Sequence, residues 1–186
     1  GLEAVGVALD RGAIRVDAQM RTSVPGVFAI GDVVGPPLLA HVASAQGVVA
    51  VETAAGREVA PLDYVQMPRC TYCQPQVASV GWTEEEAVAQ GRAVLVGKFP
   101  FSASGKAIAM GETAGFIKTV VDAESGALLG THAIGSEVTE LLPEMVMAAW
   151  AGVRPDQFEA LVHAHPTLSE GLKEAALAAM GLAIHI

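Results

Sequence analysis

The sequence predicts an α+β fold, in which a mainly antiparallel sheet carries helices on one face and a short α/β segment comes first. Three observations predict it. From residue 77 to 135 strand patterns are grouped together, and helical patterns follow them to residue 180. Gly, Ala and Val dominate while aromatic residues make up only 5%, a mixture typical of close helix–sheet packing. Finally, an apolar run, Val27–Ile30, precedes Gly31-Asp32 and a helical pattern, as in a βα unit.

The α/β character belongs to the first part of the chain. The alternating "AIRVD" at 13–17 predicts a strand, and Val27–Ile30, apolar on both faces, predicts a buried strand of the kind found in parallel sheets. "LAHVASAQGVVAVETAAG" at 39–56 predicts a helix that ends at Gly56.

A polar, proline-bearing stretch at 57–68 predicts a boundary between two domains, which we place at 1–62 and 63–186. Beyond it, "VASVGW", "RAVLVGKFPF", "GFIKTVVD" and "ALLGTHAIG" predict strands, the last two joined by the turn "AESG". "TEEEAVAQG" predicts a short helix with a Thr83–Glu86 capping box. Further helices are predicted near 138–151, 155–163 and 167–180, with Pro143 expected in a first turn or at a kink.

Composition argues against several classes of function. The net charge of −9 argues against nucleic-acid binding, because phosphates require a basic face. No apolar run approaches the length of a membrane span, and the first residues lack the basic and apolar regions of a signal peptide. Two cysteines without an export signal fit a reducing compartment, so we expect a cytoplasmic protein.

Cys70 and Cys73 form a C-x-x-C motif. A redox-active pair would sit at a helix N-terminus, whereas here "QPQVASVG" leads through a proline into a strand. A zinc site that adds His163 and His165 would need both histidines aimed at one point. We therefore expect two buried or partly buried thiols, neither bonded to each other nor bound to metal.

Asp32 follows the predicted buried strand at the edge where ligands of open α/β sheets bind. A carboxylate there can accept hydrogen bonds from sugar-type hydroxyls. The alternative is a simple Gly-Asp turn that caps the next helix, and spacing alone does not choose between the two.

"HAHPTLSEG" at 163–171 contains a candidate proton-transfer pair. Pro166 restricts the backbone after His165, and Glu170 can bond one ring nitrogen, which would fix the tautomer and raise the basicity of the other. The alternative is a capping box between Thr167 and Glu170, with His165 merely packed. We predict a His165–Glu170 hydrogen bond, a cleft in front of the other ring nitrogen, and a cis His165–Pro166 bond.

These motifs carry a family resemblance. "TSVPGVFAIGDVVGPPLLAHVASAQG", "VASVGWTEEEA" and "HAHPTLSEGLKEAA" resemble, in this order, the C-terminal half of the flavin disulfide reductases. "LLAH" and "HPTLSE" are most similar to the dihydrolipoamide dehydrogenases within that family, and "GLAIHI" resembles their C-terminus. The resemblance implies that 1–62 ends the FAD- and NAD-binding region and that 63–186 is the interface domain of a homodimer.

The resemblance also implies roles for individual residues. Asp32, after Gly31, would bond the ribityl chain of FAD, and the stretch Leu38, Leu39, Ala40 and His41 would pass beside the isoalloxazine ring. His165 would exchange protons with a substrate dithiol and Glu170 would be its partner. His163 has a counterpart near the site with a less defined role.

The same resemblance implies partners and sets limits. NAD would be the co-substrate, dihydrolipoyl groups of a 2-oxoacid dehydrogenase complex the substrate, and a basic subunit-binding domain of the acyltransferase core a docking partner, with Asp156 and Glu159 as candidate contacts. The chain lacks a G-x-G-x-x-G and a redox C-x-x-x-x-C, and "CQPQ" replaces the family's Thr-His-Pro-Glu. We therefore expect the isolated chain to be inactive and not to retain FAD. Alternatives are a non-catalytic dimerisation and docking module, or the same portion of a glutathione or mercuric reductase.

Overall fold

The structure, a computed structural model, describes all residues from Gly1 to Ile186. The chain divides into two compact units, residues 1–64 and 65–186. The predicted boundary at 62/63 lies close to this division, while the assignment of each part to a functional domain stays a prediction. None of the helices combines the length and the apolar character that crossing a membrane would require.

The first unit is built from short elements around two small apolar clusters. Val7, Ile14 and Ala29 form one cluster, and Met20, Val49 and Ala50 form the other. The regular elements are two 3-10 helices (Glu3–Val5 and Gly31–Val34), β1 (Leu9–Asp10), β2 (Ala13–Ile14) and α1 (Ala40–Ala54). The helix predicted at 39–56 is therefore present.

The two strands predicted in this unit are largely wrong. "AIRVD" forms a strand only at Ala13–Ile14. In the run Val27–Ile30 only Phe28 pairs, in an isolated antiparallel bridge with Arg21, and the terminal Val27 and Ile30 are 40% and 39% exposed. A strand that is apolar on both faces needs a neighbour on each side, and within this chain the segment has one bridge partner.

The second unit contains one five-stranded sheet in the order β3-β4-β7-β6-β5, with every neighbouring pair antiparallel. This confirms the predicted antiparallel sheet, although β3 at its edge was not predicted. The strands are β3 (Arg69–Thr71), β4 (Gln76–Gly81), β5 (Val94–Pro100), β6 (Phe116–Asp122) and β7 (Leu128–Gly135).

Two long helices cover one face of the sheet, α4 against β4 and β7, and α5 against β5 and β6. The short α2 begins with the predicted capping box, in which Thr83 and Glu86 bond each other's backbone N–H. Pro143 lies inside α4, beyond its first turn, and the segment predicted as a helix at 155–163 is a 3-10 helix, Pro155–Ala160. The helices of this unit are α2 (Glu84–Ala89), α3 (Gly105–Met110, not predicted), α4 (Val138–Trp150) and α5 (Glu170–Ala179).

In the core of this unit, the backbones of α5 and β5 pack unusually close together. A Cβ atom placed on Gly97 of β5 would lie 2.0 Å from the carbonyl oxygen of Ala175 and 2.3 Å from the backbone nitrogen of Ala179. On the helix side, a Cβ atom placed on Gly171 would lie 3.0–3.2 Å from the ring of Phe99 and 3.2 Å from a methyl carbon of Ile117. The absence of side chains at both positions therefore lets the helix lie directly on the strand.

We predict that Gly97→Ala lowers the free energy of unfolding by about 1–3 kcal/mol or more, because backbone atoms cannot yield to the new methyl group as a flexible side chain would. Chemical denaturation of the purified protein measures this. Gly105→Ala is the matched control, since nothing lies within 4 Å of a Cβ there. Its stability should stay unchanged or rise slightly, and equal effects of the two variants would contradict the packing argument.

Candidate functional site

Glu170, the first residue of α5, binds two groups of the preceding segment with its two carboxylate oxygens. Its Oε1 lies 2.8 Å from Nδ1 of His165, and its Oε2 accepts a 2.8 Å hydrogen bond from the backbone N–H of Thr167. The His165–Pro166 peptide bond is cis. The predicted hydrogen bond and the predicted cis bond are both confirmed.

The predicted capping box at this place is only half formed. The side chain of Thr167 donates to the carbonyl of Ala164 at 2.7 Å instead of accepting from the first turn of the helix. The helix begins at Glu170 rather than at 167, and its N-cap residue Ser169 makes no side-chain capping bond. The orienting and capping roles, posed as alternatives from the sequence, are thus combined in one carboxylate.

The electrostatics of the pair favour an ionised glutamate. Burial by itself would raise the pKa of Glu170, but the N–H of Thr167 and the His165 ring outweigh it and hold that pKa below its ordinary value. A carboxylate at this position accepts from Nδ1–H, which leaves Nε2 of His165 as the basic nitrogen. The imidazole is 76% exposed. The predicted cleft in front of Nε2 stays a prediction.

Two further charged residues hold the segment in front of α5, and the sequence did not single them out. Lys173 donates from Nζ to the backbone carbonyls of Glu159 and Leu161, at 3.1 and 2.7 Å. Glu144 of α4 accepts from Nε2 of His163 at 2.8 Å. Lys173 follows Glu170 by three residues, a helical spacing that could have indicated that both lie on the same side of the helix. Nothing in the sequence links Glu144 to His163, because 19 residues separate them.

In the first unit, Gly31 and Asp32 open a 3-10 helix, and Gly31 has a left-handed φ of 74°. The backbone N–H of Gly31 donates to Oε1 of the buried Gln46 at 2.7 Å, and Gln46 in turn donates to the hydroxyl of Tyr64 at 3.0 Å. This anchor from α1 was not predicted. The Asp32 side chain is exposed, so its carboxylate is accessible to donors outside the chain.

The stretch Leu38 to His41 runs into the start of α1. Leu38 is exposed, Leu39 is the N-cap residue and α1 begins at Ala40. No side chain caps this 15-residue helix, so its own hydrogen bonds do not satisfy the first-turn N–H groups. The free N–H groups at this end can donate to acceptor oxygens, and the exposed Asp32 carboxylate can accept from hydroxyl groups.

Comparison with known proteins identifies the family. The model for the dimerisation domain of pyridine nucleotide-disulphide oxidoreductases matches residues 67–176, more than half of the chain. The chain belongs to the pyridine nucleotide-disulphide oxidoreductases. A second model of the same family, without the dimerisation label, matches residues 1–47.

Individual relatives agree with this assignment. Dihydrolipoyl dehydrogenase of Zymomonas mobilis is 53% identical over 186 residues, all of this chain but 40% of the relative. That of Corynebacterium glutamicum is 53% identical over 180 residues, 95% of this chain and 38% of the relative. The chain thus spans about two fifths of the length of the curated relatives that it matches.

Solved structures of the family superpose closely on this chain. LpdA from Mycobacterium tuberculosis gives a TM-score of 0.87 at 28% identity and covers 95% of this chain and 39% of its own. The HOCl-induced flavoprotein disulfide reductase RclA from Escherichia coli gives 0.86 at 26% identity, with 94% and 41% covered. This chain therefore matches only part of the length of these solved structures, and over that part the backbones agree closely.

The cysteines of this disulphide oxidoreductase chain are both free thiols. Cys70 lies half-buried in β3, whereas Cys73 is exposed, so the expectation of two buried or partly buried thiols was wrong for Cys73. Burial raises the pKa of Cys70, the charge of Glu140 adds to this effect, and a hydrogen bond with Tyr72 opposes it. A thiol with a raised pKa is a weak nucleophile at neutral pH. No three His, Cys, Asp or Glu side chains form a metal-ligand cluster.

One turn after Glu170, Glu174 makes a second double contact. Its Oε2 accepts from the backbone N–H groups of Ile184 and His185, at 2.9 and 3.0 Å, and its Oε1 lies 3.0 Å from Nδ1 of His185. The side chain is only 5% exposed. Burial alone would raise the pKa of Glu174, but these hydrogen bonds outweigh burial and lower it.

We predict from this shift that the free energy of unfolding falls less on acidification in Glu174→Gln than in the wild type. A carboxylate whose pKa is lowered by folding stabilises fully above the unfolded pKa, about 4.3, and loses that contribution as pH falls through the folded value. The wild type should therefore exceed the variant in unfolding free energy at pH 7, and the difference should shrink below about pH 4.3. Chemical denaturation across this pH range measures both curves, and a constant difference would contradict the assignment.

Proposed function

We propose that this chain is the C-terminal portion of a dihydrolipoyl dehydrogenase, in which His165 is the general base towards the dithiol substrate. The observation that carries the proposal is the His165–Glu170 pair: a carboxylate oxygen lies 2.8 Å from Nδ1, and the imidazole is largely exposed. The names of the most similar curated relatives support the substrate class.

In the proposed reaction Nε2 of His165 accepts the proton of one thiol of a dihydrolipoyl group. The resulting thiolate attacks one sulfur of a redox disulfide supplied by another part of the full-length protein, and the second sulfur leaves as a thiolate. Glu170 keeps the ring in the tautomer that can accept and stabilises the imidazolium that forms. The second substrate sulfur then attacks the substrate sulfur of this mixed disulfide, the bond to the protein sulfur breaks, and the protein sulfur leaves with the proton of the second substrate thiol. The substrate ends as a cyclic disulfide and the protein disulfide is reduced by two electrons.

FAD is the cofactor that the family implies, and the first unit offers groups that fit it. We propose that Asp32 accepts hydrogen bonds from the ribityl hydroxyls and that Leu38, Leu39, Ala40 and His41 lie beside the ring system. Gln46 would hold the turn at Gly31 in place for this contact. When bound, FAD would carry the electrons of the reduced disulfide to NAD⁺.

His165→Gln in the full-length protein should lower the rate of dihydrolipoamide oxidation by about 10²–10⁴-fold, the usual contribution of a general base. Flavin absorbance should stay at the wild-type level, because His165 contributes nothing to the proposed flavin contacts. Steady-state kinetics and the visible spectrum measure the two quantities.

Glu170→Gln tests the contribution of the carboxylate while the base His165 stays in place. It should lower the same rate less than His165→Gln does, since the amide still reaches the ring but no longer stabilises the imidazolium. A purely capping role predicts instead a loss of about 1 kcal/mol of stability with turnover unchanged. Normal turnover in both variants would end the proposal of a catalytic pair.

We also propose that the family's dimerisation domain brings two copies together here, with exposed apolar residues of α4 in the contact. Trp150 is 82% exposed and Met147 is exposed on the same helix. Two large apolar side chains exposed three residues apart on one helix are typical of an association surface.

Trp150→Ser in the full-length protein should raise the dimer dissociation constant by about 30-fold, the equivalent of about 2 kcal/mol for an interfacial tryptophan. Sedimentation velocity over a micromolar concentration series measures it. Val88→Ser, at an exposed apolar position of α2, is the control and should leave the constant unchanged. A tryptophan variant that dimerises like the wild type would exclude this surface.

A basic subunit-binding domain remains a proposed partner. Of the two candidate contacts, Asp156 already pairs with Arg154 at 3.2 Å, while Glu159 is exposed and its carboxylate has no such ion pair. Glu159 is thus the better electrostatic contact, and salt should weaken such docking. The alternative, a dimerisation and docking module without catalysis, predicts no thiol oxidation in the presence of FAD.

A further inference from the structure

We propose that Glu144, acting through His163, is a positioning residue for the base His165; the inference rests on the proposed function. His163 lies two residues before His165 and forms a second histidine–carboxylate pair, 2.8 Å from Nε2 to Oε1 of Glu144. Glu144 belongs to α4, whereas the partner of His165 belongs to α5. The two histidines therefore tie one short segment to two different helices.

The two pairs differ in exposure, and this difference assigns their roles. The His165 side chain is 76% exposed, but the His163 side chain is 10% exposed. Nδ1 of His163 is buried and has no hydrogen-bond partner. A proton on Nδ1 would be a buried donor without an acceptor, so the tautomer that donates from Nε2 to Glu144 is favoured. The ring of His163 is therefore largely enclosed, with Nε2 engaged by Glu144, and the role that we assign to its hydrogen bond is geometric.

The segment that carries both histidines, residues 161–167, has no regular secondary structure. It is held instead by side chains at successive points. Lys173 bonds the carbonyl of Leu161, and Thr167 bonds the carbonyl of Ala164. Glu170 bonds Thr167 and His165. His163, midway between Leu161 and His165, bonds Glu144 and so attaches the segment to α4.

Proton transfer is sensitive to such fixing. A general base must lie within about 2.6–3.2 Å of the proton it takes, and a displacement of about 1 Å can cost about 10²-fold in rate. Loss of the Glu144 bond frees the backbone of residues 162–164 without removing His165 or Glu170. We therefore expect a slower proton-transfer step, with substrate affinity largely kept.

The test uses the full-length holoenzyme with Glu144→Ala, Glu144→Gln and Glu140→Ala. Glu140 is an exposed acid of the same helix, one turn earlier, and makes no hydrogen bond to the segment. Three quantities are measured: kcat and KM for dihydrolipoamide, NADH oxidation by an artificial acceptor that bypasses the dithiol site, and amide hydrogen exchange of peptides covering 161–167 by mass spectrometry.

Glu144→Ala should lower kcat by about 10–100-fold with KM changed by less than about threefold, and exchange in 161–167 should accelerate while acceptor turnover stays normal. Glu144→Gln should stay within about threefold of the wild type in kcat, because the amide oxygen still accepts from Nε2–H. Glu140→Ala should match the wild type in all three.

Several results would overturn the inference. They are wild-type kcat and exchange in Glu144→Ala, an equal loss of acceptor turnover in that variant, or a Gln variant as slow as the Ala variant. The first excludes any positioning effect, the second indicates general structural damage, and the third indicates charge rather than geometry. A wild-type protein that does not oxidise dihydrolipoamide would instead refute the proposed function, and hydrogen exchange alone would then decide whether Glu144 fixes the segment.

Discussion

The close contact between α5 and β5 is the constraint on which the second unit depends. The helix backbone lies within about 2 Å of where a side chain on Gly97 would begin, so strand and helix meet atom to atom. Backbone packing at this distance has little freedom to slide, because any shift opens a gap or creates a clash. The position of α5 on the sheet is thereby fixed, and with it every side chain that the helix presents.

The helix uses its two sides for different purposes. Leu172, Ala175, Ala176 and Leu177 fill the core with almost no exposure, which anchors the helix by apolar burial. Lys173 and Glu174 follow Glu170 by three and four residues. Glu170 binds the segment with His165, Lys173 binds the carbonyls before that segment, and Glu174 binds the chain beyond the helix. Irregular backbone on both sides of α5 is therefore held by charged groups of one rigid element. Such support from a packed helix is what keeps a reactive imidazole in one orientation without help from regular structure around it.

The sequence predicted what depends on local pattern and failed where distant neighbours decide. The strands β4 to β7, the turn at 123–126 and the capping box of α2 follow from alternation, turn residues and fixed spacing within a few positions. Val27–Ile30 is apolar enough for a buried strand, but pairing requires a neighbouring strand that local pattern cannot supply. The His165–Glu170 contact was predictable because five residues separate the pair, whereas Glu144, Gln46 and Glu174 reach their partners across 19, 15 and about ten residues. Family resemblance supplied the proposed roles of His165 and Asp32, which stay predictions, and it gave no indication of these longer contacts.

The two-oxygen contact of Glu170 also limits how this part of the chain can change over evolutionary time. One carboxylate satisfies both a ring nitrogen and a backbone N–H, and the shorter aspartate would lose reach to both at once. Glutamine keeps the length but has a single acceptor oxygen, so it can serve the ring or the backbone N–H and not both. Among the twenty side chains, glutamate therefore has both the reach and the two acceptors that residues 165 and 167 require, which ties the choice of residue at 170 to both of its neighbours.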